Sequence, residues 1–376
     1  MTWEEWVAVA AGVVAVAALV VAVLVWMHQQ DLRRRLESPD AARSPRAVAL
    51  ARELASRGEL VAFVANPSKP VVPPLRERME ERARADGRPA PLWFETTVED
   101  PGVGQARDAV AQGADVVVAV GGDGTVRAVA EGLVGTGVPM AVLPLGTGNL
   151  LARNLDLPLG DPLAALEIAV EGRDRPIDVG WLRVQRFEDE DERVADDAPG
   201  RDHIFLVIAG LGFDAAMVAD ADEQLKARVG WIAYFVAGVK HLHGNRTRVH
   251  VRLDDQPSAS TRLRSLLIGN CGRLPGGITL LPDAVLDDGW LDVAALDTRA
   301  GIAGWAQLFG EVMLQGVGRT TAPRGIGRID HTRARSVRVV VPGGEHAQVD
   351  GDIVGRVTEV SARVEPGALV VRVPRG

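Results

Sequence analysis

Five apolar residues, Val116 to Val120, run straight into Gly121-Gly122-Asp123-Gly124-Thr125. An unbroken apolar run ending in glycines suits a strand buried on both faces of a parallel sheet. Val126 to Leu133 then has helical spacing, so the glycines stand between a strand end and a helix start. Free backbone N–H groups and the helix dipole favour an anion such as phosphate at that place. Glycine lets backbone approach the ligand closely. Asp123 is out of place in a bare anion cradle, but a carboxylate beside phosphates can bind a metal or handle a proton. A second turn, Leu143-Pro144-Leu145-Gly146-Thr147-Gly148-Asn149, opens another backbone pocket in which Thr147 and Asn149 can donate or accept hydrogen bonds. A third, Asn66-Pro67-Ser68-Lys69, carries a lysine that either meets phosphate or sits in a solvated turn.

These turns need a frame. From Leu60 the pattern alternates: strands at Leu60–Ala65, Leu92–Thr97, Ala114–Val120 and Pro139–Leu143, with helices at Leu75–Ala85, Gln105–Gln112, from Thr125, Leu150–Asn154 and Asp161–Glu171. Strands alternating with helices of this length imply βαβ units and a parallel sheet. All three turns follow strands, which gathers them at the sheet's carboxyl edge, where open α/β sheets bind ligands. Beyond Arg175 the texture changes to strands at Ile177–Val184, Ile204–Ala209, Arg246–Leu253, Arg262–Ile268, Leu291–Ala295, Ser336–Val341 and Leu369–Val373. Helices are expected there only at Ala215–Ala227, Ile232–His243 and Ile302–Gln315. The expectation is an α/β domain over 58–175 and a β-rich domain over 176–376, its last strands returning to the first.

Val7 to Trp26 is twenty residues without a charge, enough helix to span about 30 Å of hydrocarbon. Trp3, Trp6 and Trp26 lie near its ends and Arg33-Arg34-Arg35 follow it, so residues 1–30 read as one transmembrane anchor with the rest of the chain on the cytoplasmic side. A cleaved signal peptide fits poorly without a basic leading region. Residues 31–57 read as a juxtamembrane stalk, and the block from Glu188 to Asp197, seven carboxylates in ten residues, as a solvated loop. A net charge of −8 argues against a bulk nucleic-acid binder. The single Cys271 excludes an internal disulfide, and one Cys with seven scattered His speaks against a zinc cluster.

Gly-Gly-Asp-Gly-Thr recurs in diacylglycerol and sphingosine kinases, in NAD kinases and, in similar form, in phosphofructokinases. Taken with the other two turns, the chain resembles the diacylglycerol kinase catalytic-domain family, its small bacterial members in particular. Downstream, Gly210-Leu211-Gly212-Phe213-Asp214 resembles the family's Gly-x-Gly-x-Asp. Gly269-Asn270, Gly276-Gly277, Pro282-Asp283-Ala284, Asp287-Asp288-Gly289 and Leu291-Asp292 follow in family order, and Asp350-Gly351-Asp352 stands where the family has Asp-Gly-Glu. The resemblance runs from about Leu60 to Val373. It implies an ATP site in the cleft between the α/β domain and a C-terminal β-sandwich. Asn66, Pro67, Ser68, Gly121 to Val126 and Thr147 would contact the nucleotide, with Thr97, or its neighbour Thr96, near it. Asp352 matches the general base that takes the proton of a lipid hydroxyl. Asp123 is the rival base and is otherwise a partner of Mg²⁺ through the phosphates. Asp287 and Asp288 match carboxylates that hold a separate Mg²⁺ in some members; a tight hairpin turn explains them equally well.

Three departures bear on function. Leu150 stands where many members have Asp, Arg127 where Asn or Glu is common, so that a polar contact is expected to be lost, and Asp352 is one methylene shorter than Glu. The leading expectation is a membrane-anchored kinase moving the γ-phosphoryl of ATP to a diacylglycerol-like or sphingoid-like lipid, with the bilayer and its lipid as partners and a homodimer left open. An NAD kinase-like phosphotransferase and a catalytically impaired nucleotide- or lipid-binding regulator are the alternatives.

Overall fold

The computed structural model describes residues 58–85, 90–188, 200–212, 246–274, 279–298 and 327–375. The expected anchor and stalk, most of the acidic block, and the three expected helices of the second half lie outside those residues. Among the described residues no helix is long and apolar enough to cross a membrane.

The first half is a three-layer α/β unit. Strands β1 (Val61–Ala65), β2 (Leu92–Glu95), β3 (Val116–Gly121) and β4 (Met140–Pro144) pair in parallel in the order β4-β3-β1-β2. Helices α1 (Val72–Ala85), α2 (Val103–Ala111), α3 (Asp123–Leu133), α4 (Leu150–Asn154) and α5 (Pro162–Glu171) connect or follow them. Alternation explains why both parities of each strand are apolar. Ala62, Val64, Val117, Ala119 and Val142 face Ala106, Ala109, Val126, Val129 and Leu133 of α2 and α3. Phe63, Val116, Val118, Val120 and Leu143 face Val72, Leu75 and Met79 of α1 and Leu163 and Leu166 of α5. Each face is buried against helices, which is what a parallel sheet requires.

Two boundaries moved for local reasons. Helix α3 opens at Asp123, not Thr125, so the last three of the five residues of the glycine motif are already helical. Helix α1 opens at Val72 because Pro73 and Pro74 fall in its first turn, where the missing N–H costs nothing.

The second half is antiparallel. Strand β5 (Arg173–Phe187) pairs along nearly its whole length with β14 (Asp352–Val373), which also pairs with β13 (Ser336–Val349). The sheet continues through β7 (Ile208–Gly212), β10 (Ser265–Gly269), β11 (Leu291–Thr298) and β12 (Gly327–Ala334), with β6 (Asp202–Phe205) on β5 and the β8–β9 hairpin (Thr247–Leu253, Ala259–Leu263) on β13. Phe205, Leu266, Val339, Ala347, Val357 and Val360 lie in its core. Ile204–Ala209 and Arg262–Ile268, each expected as one strand, are both broken in two, into β6 and β7 and into β9 and β10. At the end of β14, Val371 pairs in parallel with Met140 of β4, so a single sheet runs through both halves.

One buried carboxylate ties this second half together near its junction with the first. Asp178 on β5 is 2% exposed; its oxygens accept from the amides of Gly289 (2.6 Å) and Gly367 (2.8 Å). Asp178→Ala strands both donors in the interior. It is expected to cost about 3 kcal/mol, read as a fall of roughly 5–10 °C in thermal midpoint.

Candidate functional site

The first two glycine turns are packed against each other. Gly121 and Pro144 are in register at the ends of β3 and β4, and the Leu145 amide donates to Gly121 O at 2.7 Å. A Cβ on Gly146 would stand 2.7 Å from Gly122 Cα, and one on Gly121 would stand 2.6 Å from Thr125 Oγ1. No side chain fits at either place. Asn149, left-handed at φ 48°, brackets the Gly146 peptide: its Oδ1 accepts from Gly146 N (2.9 Å) and its Nδ2 donates to Gly146 O (2.8 Å). Asn149 is therefore a buried buttress of the turn. Gly124 and Thr147 are exposed, and Gly124 has open space above it. The exposed floor thus consists of backbone with one free-standing hydroxyl residue, a composition that suits phosphate oxygens.

Asp123 joins the two turns. Its carboxylate accepts from the Asn149 amide (2.8 Å) and the Leu150 amide (2.5 Å), at the start of α4. Helix N-termini carry unpaired N–H groups, and a carboxylate satisfies them well. Burial lifts the Asp123 carboxyl to about 6 against the pull of the two amides, with the charge of Asp350 adding to the rise and Arg153 opposing it. Asp123 was expected as a partner of Mg²⁺ through the phosphates or as a rival base; each of its oxygens accepts one backbone amide.

The third turn is self-contained. Asn66 Oδ1 accepts from Ser68 N (3.0 Å) and Ser68 Oγ (2.7 Å), and the Asn66 amide donates to Val120 O (3.0 Å), which sets this turn beside the first. Lys69 donates its amide to Asn66 O at 3.1 Å. Pro67 is exposed. At the end of β2, Thr96 is buried and Thr97 exposed, with Thr97 Oγ1 accepting from the Asp100 amide at 3.0 Å. Of the two threonines, only Thr97 faces solvent.

The far wall comes from the turn between β13 and β14. Asp350, at φ 48°, accepts from the amides of Leu206 (2.7 Å), Val207 (2.9 Å) and Ile208 (2.9 Å). These bonds explain the break between β6 and β7. Burial raises the Asp350 carboxyl, while Arg127 and the three amides oppose the rise. Asp352 is the opposite case, with its side chain 60% exposed. Arg127 of α3 reaches across, donating from Nη2 to Asp352 Oδ2 (2.5 Å) and from Nη1 to Val349 O (3.1 Å). The polar contact expected to be missing at position 127 is thus present, made by a longer arm. Asn154 of α4 adds a second bridge: its Nδ2 donates to Arg273 O (2.9 Å) and its Oδ1 accepts from Arg273 N (3.0 Å). Nothing local in the sequence points to that pair. Arg127 could have been found from its spacing, four residues after Asp123 on one helix face.

Asp287 and Asp288 lie apart from this cleft chemistry. Asp287 pairs with Arg175 (2.8 Å); Asp288 accepts from the Trp290 amide (3.0 Å) and shares Arg333 with Asp292 (3.4 Å each). Arg333 also donates to Asp283 O. Among the described residues no three His, Cys, Asp or Glu side chains are grouped to hold a metal. The two carboxylates expected to meet Mg²⁺ are each paired with a guanidinium, Asp287 with Arg175 and Asp288 with Arg333.

The Asp123 shift makes a testable statement about pH. Its folded value lies above the ordinary 3.8, so between about pH 4 and pH 6 the folded chain keeps a proton that the unfolded chain has released. The stability this group contributes is complete below pH 4 and is lost as pH rises through 6. Urea unfolding of the parent and of Asp123→Asn across pH 4–7 should show the parent losing stability relative to the variant over that window.

Comparison with known proteins agrees with this architecture. The diacylglycerol kinase catalytic domain matches residues 80–182, and the YegS C-terminal NAD kinase beta sandwich-like domain matches 207–373. A diacylglycerol kinase of Mycobacterium tuberculosis (strain ATCC 25618 / H37Rv) is 32% identical over 271 residues, 71% of this chain and 79% of that protein. A Pseudomonas aeruginosa protein (strain PAO1) described as "Probable lipid kinase YegS-like" is 34% identical over 275 residues, 72% of this chain and 80% of that one. The crystal structure of a diacylglycerol kinase from Bacillus anthracis str. Sterne superposes with a TM-score of 0.60 at 22% identity, covering 84% of this chain and 97% of that one, a likeness of fold. With both halves matched in order and a relative above 30% identity spanning most of its length, the chain belongs to the diacylglycerol kinase catalytic-domain family.

Proposed function

We propose that the protein is a membrane-anchored lipid kinase that transfers the γ-phosphoryl of ATP to the hydroxyl of a diacylglycerol-like or sphingoid-like lipid. The observation that carries this reading is the pairing of two interlocked glycine turns with an exposed carboxylate, Asp352, presented from the other half of the chain and held by Arg127. The backbone of Gly122–Gly124 and Gly146–Gly148, with Thr147 exposed beside it, suits phosphate oxygens. Asn66, Ser68 and Thr97 lie on the turns that end β1 and β2 and would meet the rest of the nucleotide.

Phosphoryl transfer asks mainly for positioning and charge neutralisation. In the proposed step Asp352 takes the hydroxyl proton as the lipid oxygen bonds to the γ-phosphorus. The bond from that phosphorus to the bridging oxygen breaks, and ADP leaves with the electron pair. Mg²⁺ arriving with ATP would supply charge neutralisation on the phosphates. The charge-free run Val7–Trp26 with its aromatic and arginine flanks supports anchoring, which would spare the acceptor a passage through water.

The test is transfer of labelled phosphate by the full chain in mixed micelles, with diacylglycerol, a sphingoid base or NAD as acceptor. Label is expected on a lipid. Asp352→Asn should lower kcat by about a hundredfold or more, within the range for a general base, while nucleotide binding changes little. Label on NAD alone would replace this reading with the NAD kinase-like one. ATP binding without transfer to any acceptor would favour the regulator.

A further inference from the structure

We infer that Arg127 is a positioning residue for phosphoryl transfer: it fixes the Asp352 carboxylate at a set distance from the phosphate-binding turn, using α3 as the spacer. This rests on Asp352 being the base of the proposed reaction. Asp123 and Arg127 are one helical turn apart, about 6 Å along the axis and on the same face. The helix that begins in the glycine turn therefore also carries the group that reaches the base. The turn backbone around Asp352 is already secured. Asp350 is held by three amides, Gly351 sits at φ 91°, and its amide donates to Gln348 Oε1 at 2.7 Å. What remains loose is the Asp352 side chain, 60% exposed, and the hydrogen bond to it among the described residues comes from Arg127. The second bond, to Val349 O, keeps the guanidinium from following the carboxylate if that side chain rotates.

Magnitudes separate positioning from stability. The carboxylate end of this pair is 60% exposed and the guanidinium end 21%, so solvent screens much of what the pair adds to folding, whereas an error near 1 Å in a reacting group can lower turnover about a hundredfold. Loss of Arg127 should therefore be nearly silent in folding and loud in kcat. A carboxylate one methylene shorter than Glu has less reach of its own, so an external arm matters more here.

The experiment compares parent, Arg127→Gln, Arg127→Lys, Asp352→Asn and Arg127→Gln/Asp352→Asn in the micelle assay, with thermal midpoints and binding of a fluorescent ATP analogue. Arg127→Gln is expected to lower kcat about thirty- to a hundredfold, leave KM for ATP within about threefold and move the midpoint by no more than about 3 °C. Arg127→Lys, which keeps one donor, should recover part of the loss. In the Asp352→Asn background the Arg127 change should cost nothing further, because residues acting through one group are non-additive. An unchanged or raised kcat in Arg127→Gln, a tenfold rise in KM for ATP, or additive losses would each overturn the inference. A parent inactive on every lipid would overturn the proposed function itself, and this inference with it; an active parent indifferent to Arg127 overturns the inference alone.

Discussion

The site depends first on one carboxylate accepting two backbone amides. Asp123 sits in the opening turn of α3, and its oxygens hold Asn149 and Leu150 at the opening of α4. Without that staple the second glycine turn would be tied to the first only through the Leu145 amide and Gly121 O. With it, the Gly146 backbone is pressed against Gly122 at a distance only glycine permits. The bond also extends outward. Helix α4 carries Asn154, whose amide group engages both the N–H and the C=O of Arg273 in the other half of the chain. A ring of contacts thus closes: glycine turn to α4, α4 to the 270–273 segment, that segment through Asn270 N to Val207 O at 2.9 Å, the 206–208 amides to Asp350, and the Asp352 turn back to α3 through Arg127. Each link is local and modest, but displacing any one strains its neighbours.

Strand β14 supplies the second constraint. It begins at Asp352 and ends beside β4, so the exposed carboxylate and the parallel sheet are joined by one strand. Its far end is pinned by Arg372, 6% exposed. That guanidinium donates to Asp174 (2.9 Å), to Ala169 O (3.0 Å) and to Glu59 (3.3 Å). A buried guanidinium is tolerable only when its donors are satisfied. The same cluster ties the first described residues, through Glu59, to the last strand.

Much of this frame was legible in residue order. Apolar runs of both parities announced buried parallel strands, and glycines at their ends announced turns gathered on one edge. What periodicity does not encode is a pairing between distant segments. The break at Leu206–Val207 escapes a pattern reading because apolar residues continue through it; it follows from Asp350, more than a hundred residues downstream. Arg127 looked like the loss of a polar contact because its partner lies on another strand, 225 residues away. Asp287 and Asp288 read equally well as metal ligands or as a turn, because the arginines that pair with them, Arg175 and Arg333, are distant in sequence.

The aspartates bonded to backbone change how the motifs themselves should be understood. Asp123 takes the amides of residues 149 and 150, Asp178 those of 289 and 367, and Asp350 those of 206, 207 and 208. In each case a short acceptor-only group gathers donors from a remote segment. Asn would turn a donor toward donors, and Glu would add a rotatable bond where geometry must be tight. The Asp in Gly-Gly-Asp-Gly-Thr and the first Asp of Asp350-Gly351-Asp352 therefore meet a demand of the backbone, whatever else they do. Asp352 meets none: it is exposed, and its bond is to a side chain that can exchange partners. A proton acceptor must be reachable by the hydroxyl it serves, and of Asp123, Asp350 and Asp352 the last is the most open to solvent and the one not bonded to a backbone amide.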